Sequence, residues 1–294
     1  MLKPGRAARH GAPFCLAILL CVAQLTSTRS FAASLEALPA RLKPRTLDAF
    51  ERYVRLTEAR NAEELSQGGD TFLRPDTLPQ EERAAAYAAL RKGEVRIERL
   101  KTHDAGKAIE CPSGLIHHWV GVIYIPGATL EETLRVLEDY DHHSQYYAPD
   151  VQRSKVLSHE GEEFHVFLQF RRKKVITVVL NTEHDVRYSR LDPTHAASRS
   201  TATRVAEVEN AGKSNEREKT PGDDGGYLWR METWWRLAER DGGTYVQCES
   251  VSLTRDIPVG LGWLVGPFVN SIPRESLTFT LTATRNAVEK QREK

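Results

Sequence analysis

Apolar residues recur at two different spacings along this chain, and the change from one to the other falls near residue 93. Before it, Leu47, Phe50, Val54 and Leu65 stand among charged residues at loosely helical intervals, a pattern that predicts a helix over residues 47 to 66, ending before Gly68 and Gly69. Pro75 and Pro79 punctuate a turn-rich stretch, and the Ala-, Glu- and Arg-rich run from Gln80 to Leu90 predicts a second short helix stopped by Gly93. From Glu94 the period shortens. Val95, Ile97 and Leu100 alternate with charged neighbours, and residues 115 to 125 form a longer β-branched and aromatic run closed by Pro126 and Gly127. Thr129 is a good N-cap, Glu131 and Glu132 suit a first helical turn, and Leu130, Leu134, Leu137 and Tyr140 share one helical face, so residues 130 to 140 are predicted to be a helix.

Six strands are predicted after it, over 152–159, 163–171, 175–188, 198–209, 227–239 and 244–255, with Glu160-Gly161 and Asp241-Gly242-Gly243 as hairpin turns. Sequential hairpins imply one antiparallel sheet. Residues 210 to 226 carry almost nothing apolar and read as a mobile loop between two long strands. Ser271 and Pro273 mark the entry to a closing helix with Leu277, Leu281, Thr284 and Val288 on one face. The expected architecture is α+β, a curved antiparallel sheet gripping a C-terminal helix, preceded by an N-terminal helical extension.

A two-residue turn at Asp241-Gly242 pairs Trp235 with Cys248, Leu237 with Val246 and Met231 with Ser252, and places Glu249 opposite Trp234 on the outer face. One parity of that strand, Tyr227, Trp229, Met231, Thr233, Trp235 and Leu237, is expected to face inward. Small residues, Cys248, Ser250 and Ser252, then oppose large aromatics, as in a wall that lines a cavity. Aromatics on an inner strand face also serve as plain core, and the pattern by itself leaves both readings open.

Three further stretches carry a family resemblance. Val136-Leu-Glu-Asp-Tyr-Asp141 with Tyr147-Ala-Pro-Asp-Val151 and Ser154-Lys-Val-Leu157, then Trp229-Arg-Met-Glu-Thr-Trp-Trp235, then Glu249-Ser-Val-Ser-Leu253 with Asp256-Ile-Pro258 and Ile272-Pro-Arg-Glu-Ser-Leu277, resemble in order and spacing the START-like (SRPBCC, polyketide cyclase-like) superfamily. The resemblance covers roughly residues 94 to 290. It implies a helix-grip fold that holds a lipid, isoprenoid or polyketide-like molecule between sheet and long helix, with a minority of members acting as cyclases or hydrolases. The candidate ligand-binding residues are Trp119, Tyr140, Tyr147, Phe167, Trp229, Met231, Trp235, Cys248, Trp263, Phe268, Leu277 and Leu281. Residues 259 to 268, apolar but glycine-rich, read as a lid or as a packed crossover into the last helix.

The first thirty residues differ from the rest. Lys3, Arg6 and Arg9 precede an apolar run from Phe14 to Leu25, and Ser30, Ala32 and Ala33 are small, which is a secretory signal pattern with cleavage expected after Ala32. The expected division is therefore 1–32 signal, 33–92 helical extension and 93–294 ligand-binding domain, with an exported product. Leu20 before Cys21 is too large for lipoprotein processing. Four cationic and no acidic residues leave with the signal, turning the formal +1 of the whole chain into −3. No basic face for nucleic acid is expected. Arg171, Arg172, Lys173 and Lys174 form the one basic run, either solvated or a transient contact for anionic headgroups.

Cys111 and Cys248 remain in the mature chain, as a disulfide or as two buried thiols. No nucleophile elbow, HExxH or paired-cysteine motif is present, and the glycines near 260 miss dinucleotide-binding spacing, so no cofactor and no metal are expected. His117 and His118 are neighbours on a strand and point to opposite faces. His142 and His143 suit the last carbonyls of the helix before them. A hydrophobic-ligand carrier is the leading function. An enzyme using an inward Glu249 or His118 as general acid or base is the alternative, and a partner-binding exported protein the third. Composition leaves the oligomeric state open.

Overall fold

A computed structural model describes residues 40–67, 71–173, 176–257 and 262–293, the side chains of 262–270 excepted. Nine strands form one antiparallel sheet: β1 (Arg96–Arg99), β2 (Gly114–Pro126), β3 (Val151–Glu160), β4 (Glu163–Lys173), β5 (Thr177–Asp192), β6 (His195–Glu209), β7 (Arg217–Glu218), β8 (Arg230–Arg240) and β9 (Gly243–Arg255). Their order is β1-β2-β9-β8-β6-β5-β4-β3, with β7 added beside β6. The helices are α1 (Pro44–Ser66), α2 (Gln80–Arg91), α3 (Leu130–Glu138), the single turn α4 (His143–Tyr146) and α5 (Gly262–Arg292). This is the helix-grip α+β fold.

The β8–β9 hairpin has the predicted register: Trp235 pairs with Cys248, Leu237 with Val246, Met231 with Ser252 and Trp234 with Glu249. Asp241 and Gly242 both take positive φ, 57° and 75°, the geometry of a two-residue hairpin turn that matches the strand twist. Thr129 caps α3 as predicted: its hydroxyl accepts from the Glu132 N–H at 3.2 Å, and the Glu132 carboxylate accepts from the Thr129 N–H at 2.9 Å.

Helix α5 lies on the inner face. Leu277, Leu281 and Val288 pack against Ile123, Ile125, Val246 and Cys248, with Trp119 and Trp235 alongside. Gly121 permits the close approach, since a β-carbon there would stand 2.5 Å from Leu281 and 2.6 Å from Ile97. Leu130, Leu134, Leu137 and Tyr140 close the other end of this face over Phe164, Val166, Val186, Tyr188 and Leu237. The closing helix starts at Gly262, ahead of the predicted Ser271, because local glycine and proline content is only a weak prior on helix extent.

The main departure from the sequence reading is on the opposite face. The outer face of β2, β9 and β8 is covered by the N-terminal helices, so it is not a solvent face. Phe50, Tyr53 and Val54 of α1 pack with Trp229, Trp234, Val251 and Leu253. Phe72, Leu73, Tyr87 and Leu90 pack with Val122, Tyr124, Ala238 and Tyr245. Glu249 is therefore buried in the predicted register.

What meets the buried outward charges is polar and comes from the same helices. Glu249 Oε1 accepts from His118 Nε2 at 2.7 Å and is ion-paired with Arg60; His118 Nδ1 meets the Tyr53 hydroxyl at 2.9 Å, which itself accepts from the Thr102 N–H at 2.8 Å. Arg236 donates to the Phe72 carbonyl at 2.9 Å, to Glu64 at 2.7 Å and to Asn61. Burial pushes the Glu249 carboxyl up, but the His118 hydrogen bond and the Arg60 charge outweigh it and hold it below the usual carboxylate range.

Residues 210 to 226 are also more structured than predicted. Asp223 and Asp224 pair with Arg41 and Ala40, and Asp224 is buried with its Oδ1 accepting from the Gly226 N–H and from Trp229 Nε1 at 3.0 Å. Glu249→Ala strands Arg60 and His118 against the sheet. It is expected to cost about 3 kcal/mol, the low end for a broken buried pair because Arg60 keeps a third of its surface in water. Urea midpoints at pH 7 check this, and a loss below about 0.5 kcal/mol, the size of an ordinary surface change, refutes it.

Candidate functional site

On β8 the usual logic of a sheet is inverted. The outward residues Glu232, Trp234 and Arg236 are buried, while the inward Met231, Thr233 and Trp235 are only partly so. On β9 the same holds of Ser250 and Ser252 against Glu249 and Val251. The register aligns these side chains in rows. One row runs Trp119, Ser250, Thr233, Ser200, Val186 across five strands; its neighbour runs Gly121, Cys248, Trp235, Ser198, Tyr188. The second row faces the packed half of α5. In the first, Trp119, Ser250, Thr233 and Ser200 are only partly buried, and hydroxyl-bearing small residues occupy places that a filled core gives to large ones.

Among the described residues, no hydrogen bond engages the hydroxyls of Thr233, Ser250 or Ser252. Two imidazoles share this face. His117 Nε2 meets Thr254 Oγ1 at 3.0 Å, and His184 Nε2 meets Thr182 Oγ1 at 2.9 Å. Burial pushes each down to about 4, so both are neutral at pH 7. Cys248, opposite Trp235, is held well above the usual thiol range by the same cause and stays a thiol.

The predicted site residues divide as follows. Trp119, Met231, Trp235, Cys248, Leu277 and Leu281 share the inner face with α5. Tyr140 and Tyr147 are buried beside it, their hydroxyls bonded to Tyr188 and Thr284 at 2.9 and 3.0 Å. Two assignments are corrected. Trp229 lies in the outer layer under α1, because the chain turns before the ladder begins at Arg230 and the alternation does not carry back past it. Phe167 falls on the outer side of β4, between the inward Val166 and Leu168. The side chains of Trp263 and Phe268 lie outside the described residues, as do residues 259–261 of the predicted lid and the whole predicted signal.

Glu249 and His118, named as a catalytic acid or base, both point away from this face into the α1 layer. Arg172 of the basic run is paired with Asp150, Arg171 and Lys173 are exposed, and Lys174 lies outside the described residues. Cys111 and Cys248 are free thiols on opposite sides of the sheet. His143 is buried against the Val136 and Leu137 carbonyls, as predicted for a helix end. Among the described residues no three His, Cys, Asp or Glu side chains are placed to hold a metal, and no helix is long and apolar enough to cross a membrane.

Ser200, Thr182 and His184 were not singled out in the sequence, although the alternation Thr182, His184, Val186, Tyr188 marks them as one face. Among the described residues, a groove of about 450 Å³ lies between α4 and α5, and one of about 200 Å³ between β1 and the turn at Arg74.

No protein-family model matches the chain, and no curated protein sequence does. Solved structures do resemble it. TTHA0849 from Thermus thermophilus is 16% identical with a TM-score of 0.42, over 60% of this chain and 98% of that one. A STAR-related lipid transfer protein from Xanthomonas axonopodis is 17% identical with a TM-score of 0.41, over 66% and 98%. The Zhui aromatase/cyclase from Streptomyces sp. R1128 is 14% identical with a TM-score of 0.38, over 60% and 96%. The likeness is to the START-like, polyketide cyclase-like fold, and it is one of fold alone.

Acid should loosen this fold through its buried imidazoles. His117, His143 and His184 are each depressed to about 4 by burial, so the unfolded chain takes up protons first and stability is lost as pH falls below 6.5 towards 4. Each contributes a loss of about 2 kcal/mol between pH 7 and 5. Asp224, raised to about 6 by burial and then by the Glu207 charge, works in the opposite direction. A single-site difference isolates the effect: His143→Gln, which keeps a donor for the two carbonyls, should shrink the pH 7 to 5 loss by about 2 kcal/mol in urea titrations. An unchanged loss contradicts it.

Proposed function

We propose that this protein binds a hydrophobic small molecule between the inner face of β2, β9, β8 and β6 and the first half of α5. One observation carries the reading: the inward Met231, Thr233, Trp235, Ser250 and Ser252 are more accessible than the outward Glu232, Trp234, Arg236, Glu249 and Val251, and they combine aromatic and thioether surface with small hydroxyls. An apolar wall with a few uncommitted polar groups is what a small-molecule site requires. Carriage is favoured over catalysis because the two residues best suited to acid–base work, Glu249 and His118, are committed to the opposite face.

Ser252→Phe fills the space without touching the outer layer. It should weaken binding of the neutral probe N-phenyl-1-naphthylamine at least tenfold with the melting temperature unchanged or raised, and Trp235→Ala should weaken it more than it destabilises. Should Ser252→Phe instead unfold the protein as an overpacked core residue does, the wall is plain core and the reading fails.

The protein is further proposed to act outside the cytoplasm after removal of residues 1–32, on the basic–apolar–small pattern of that segment. Terminal sequencing of the protein recovered from its host should begin at Ala33; an intact Met1 would remove the export proposal.

A further inference from the structure

The hydrogen bonds around His184 run in one direction. The Thr182 hydroxyl donates its proton to the Leu168 carbonyl at 2.9 Å, so its oxygen is left to accept, and His184 Nε2 at 2.9 Å is the donor. That places the ring proton on Nε2 and leaves Nδ1 as an acceptor. Buried among Val166, Ala202 and the edge of Phe170, the imidazole is neutral, and the near hydroxyl at Nδ1 is that of Ser200, at 3.4 Å.

Ser200 is partly exposed and stands in the open row between Thr233 and Val186. With its proton drawn to Nδ1, its lone pairs are what it offers to the space above. Thr233, Ser250 and Ser252 have no such fixed direction among the described residues, and their hydroxyls turn to suit either a donor or an acceptor. Ser200 is oriented before anything binds, and an oriented acceptor discriminates where a free rotor does not.

We infer that the ligand of this face carries a hydroxyl group, an aliphatic alcohol or a phenol, which donates to Ser200 Oγ at the head of a relay that continues through His184 and Thr182 to the Leu168 carbonyl. No proton needs to be transferred. The inference rests on the binding reading above, and it adds that a carbonyl or ether in the same place meets an acceptor and is refused. A carboxylate is refused more strongly, since it sets a charge against lone pairs with no cation among Trp119, Thr233, Ser200, Ser250 and Ser252 to offset it.

The test is competition for bound N-phenyl-1-naphthylamine by hexadecan-1-ol, hexadecyl methyl ether and hexadecanoate, using the whole protein. The alcohol should compete about tenfold better than the ether and better than the acid, the size of one net hydrogen bond to a positioned group. Ser200→Ala should bring alcohol and ether within about twofold by weakening the alcohol alone. Thr182→Val, a positioning residue that never meets the ligand, should reduce the ratio in the same way; a merely structural role would weaken all three competitors equally. Equal competition by alcohol and ether in the unaltered protein, or a preference for the acid, overturns the inference and leaves the binding reading standing. Failure of the probe to bind at all overturns both.

Discussion

The ion pair and hydrogen bonds that join α1 to the outer face of the sheet decide how the rest of this protein is arranged. Glu249, Arg236 and His118 project from the middle of β9, β8 and β2, where a half-buried sheet would send its polar side chains into water. Here they are about 2% exposed each, and Arg60, Asn61, Glu64 and Tyr53 meet them from above. Desolvating such groups is unfavourable unless every one finds a partner, so the arrangement demands that α1 sit in a single position. The apolar contacts of Phe50 and Val54 add the attraction, at about 1.5–3 kcal/mol for each fully buried large side chain, and the charges supply the register.

Fixing the outer face relaxes what is required of the inner one. A sheet covered on one side only draws its support from that one packed face. This sheet is covered on both, and among the described residues Leu277, Leu281 and Val288 of α5 pack with Ile123, Ile125 and Val246. The rest of the inner face is held from behind, so Ser250, Ser252, Thr233 and Ser200 can face space without the strands losing support. The paired buried charges and the partly exposed small hydroxyls thereby stand on opposite sides of the same strands.

Much of this was legible in the sequence. The periods of the apolar residues placed the strands and every helix but the start of the last to within a few residues, and the Asp241-Gly242 turn fixed the β8–β9 register residue by residue, because hairpin length leaves no freedom once the turn type is set. What was not legible was the partner of the outer face. Charged residues on alternate strand positions read as solvated in any one-dimensional pattern, and nothing in Arg236 or Glu249 alone announces that Asn61 or Arg60, far away in the chain, will cover them. Trp229 was misplaced for a related reason, since parity holds only inside the ladder. Asp224 was missed because a stretch poor in apolar residues can still be held by carboxylate-to-backbone hydrogen bonds.

The separation of charge between the two faces also bears on chemistry. General acid–base catalysis needs a titratable group near neutrality beside the substrate, and a histidine reaches that range when a carboxylate supports it. The one buried histidine with a buried carboxylate partner among the described residues, His118, is on the outer face under α1. His117 and His184, on the inner face, have threonine hydroxyls as partners and are pushed down by burial to about 4. An imidazole so depressed is a poor base at neutral pH but a dependable neutral hydrogen-bonding group. The same burial that makes these two residues poor bases leaves each ring as a neutral partner of a neighbouring threonine, Thr254 beside His117 and Thr182 beside His184.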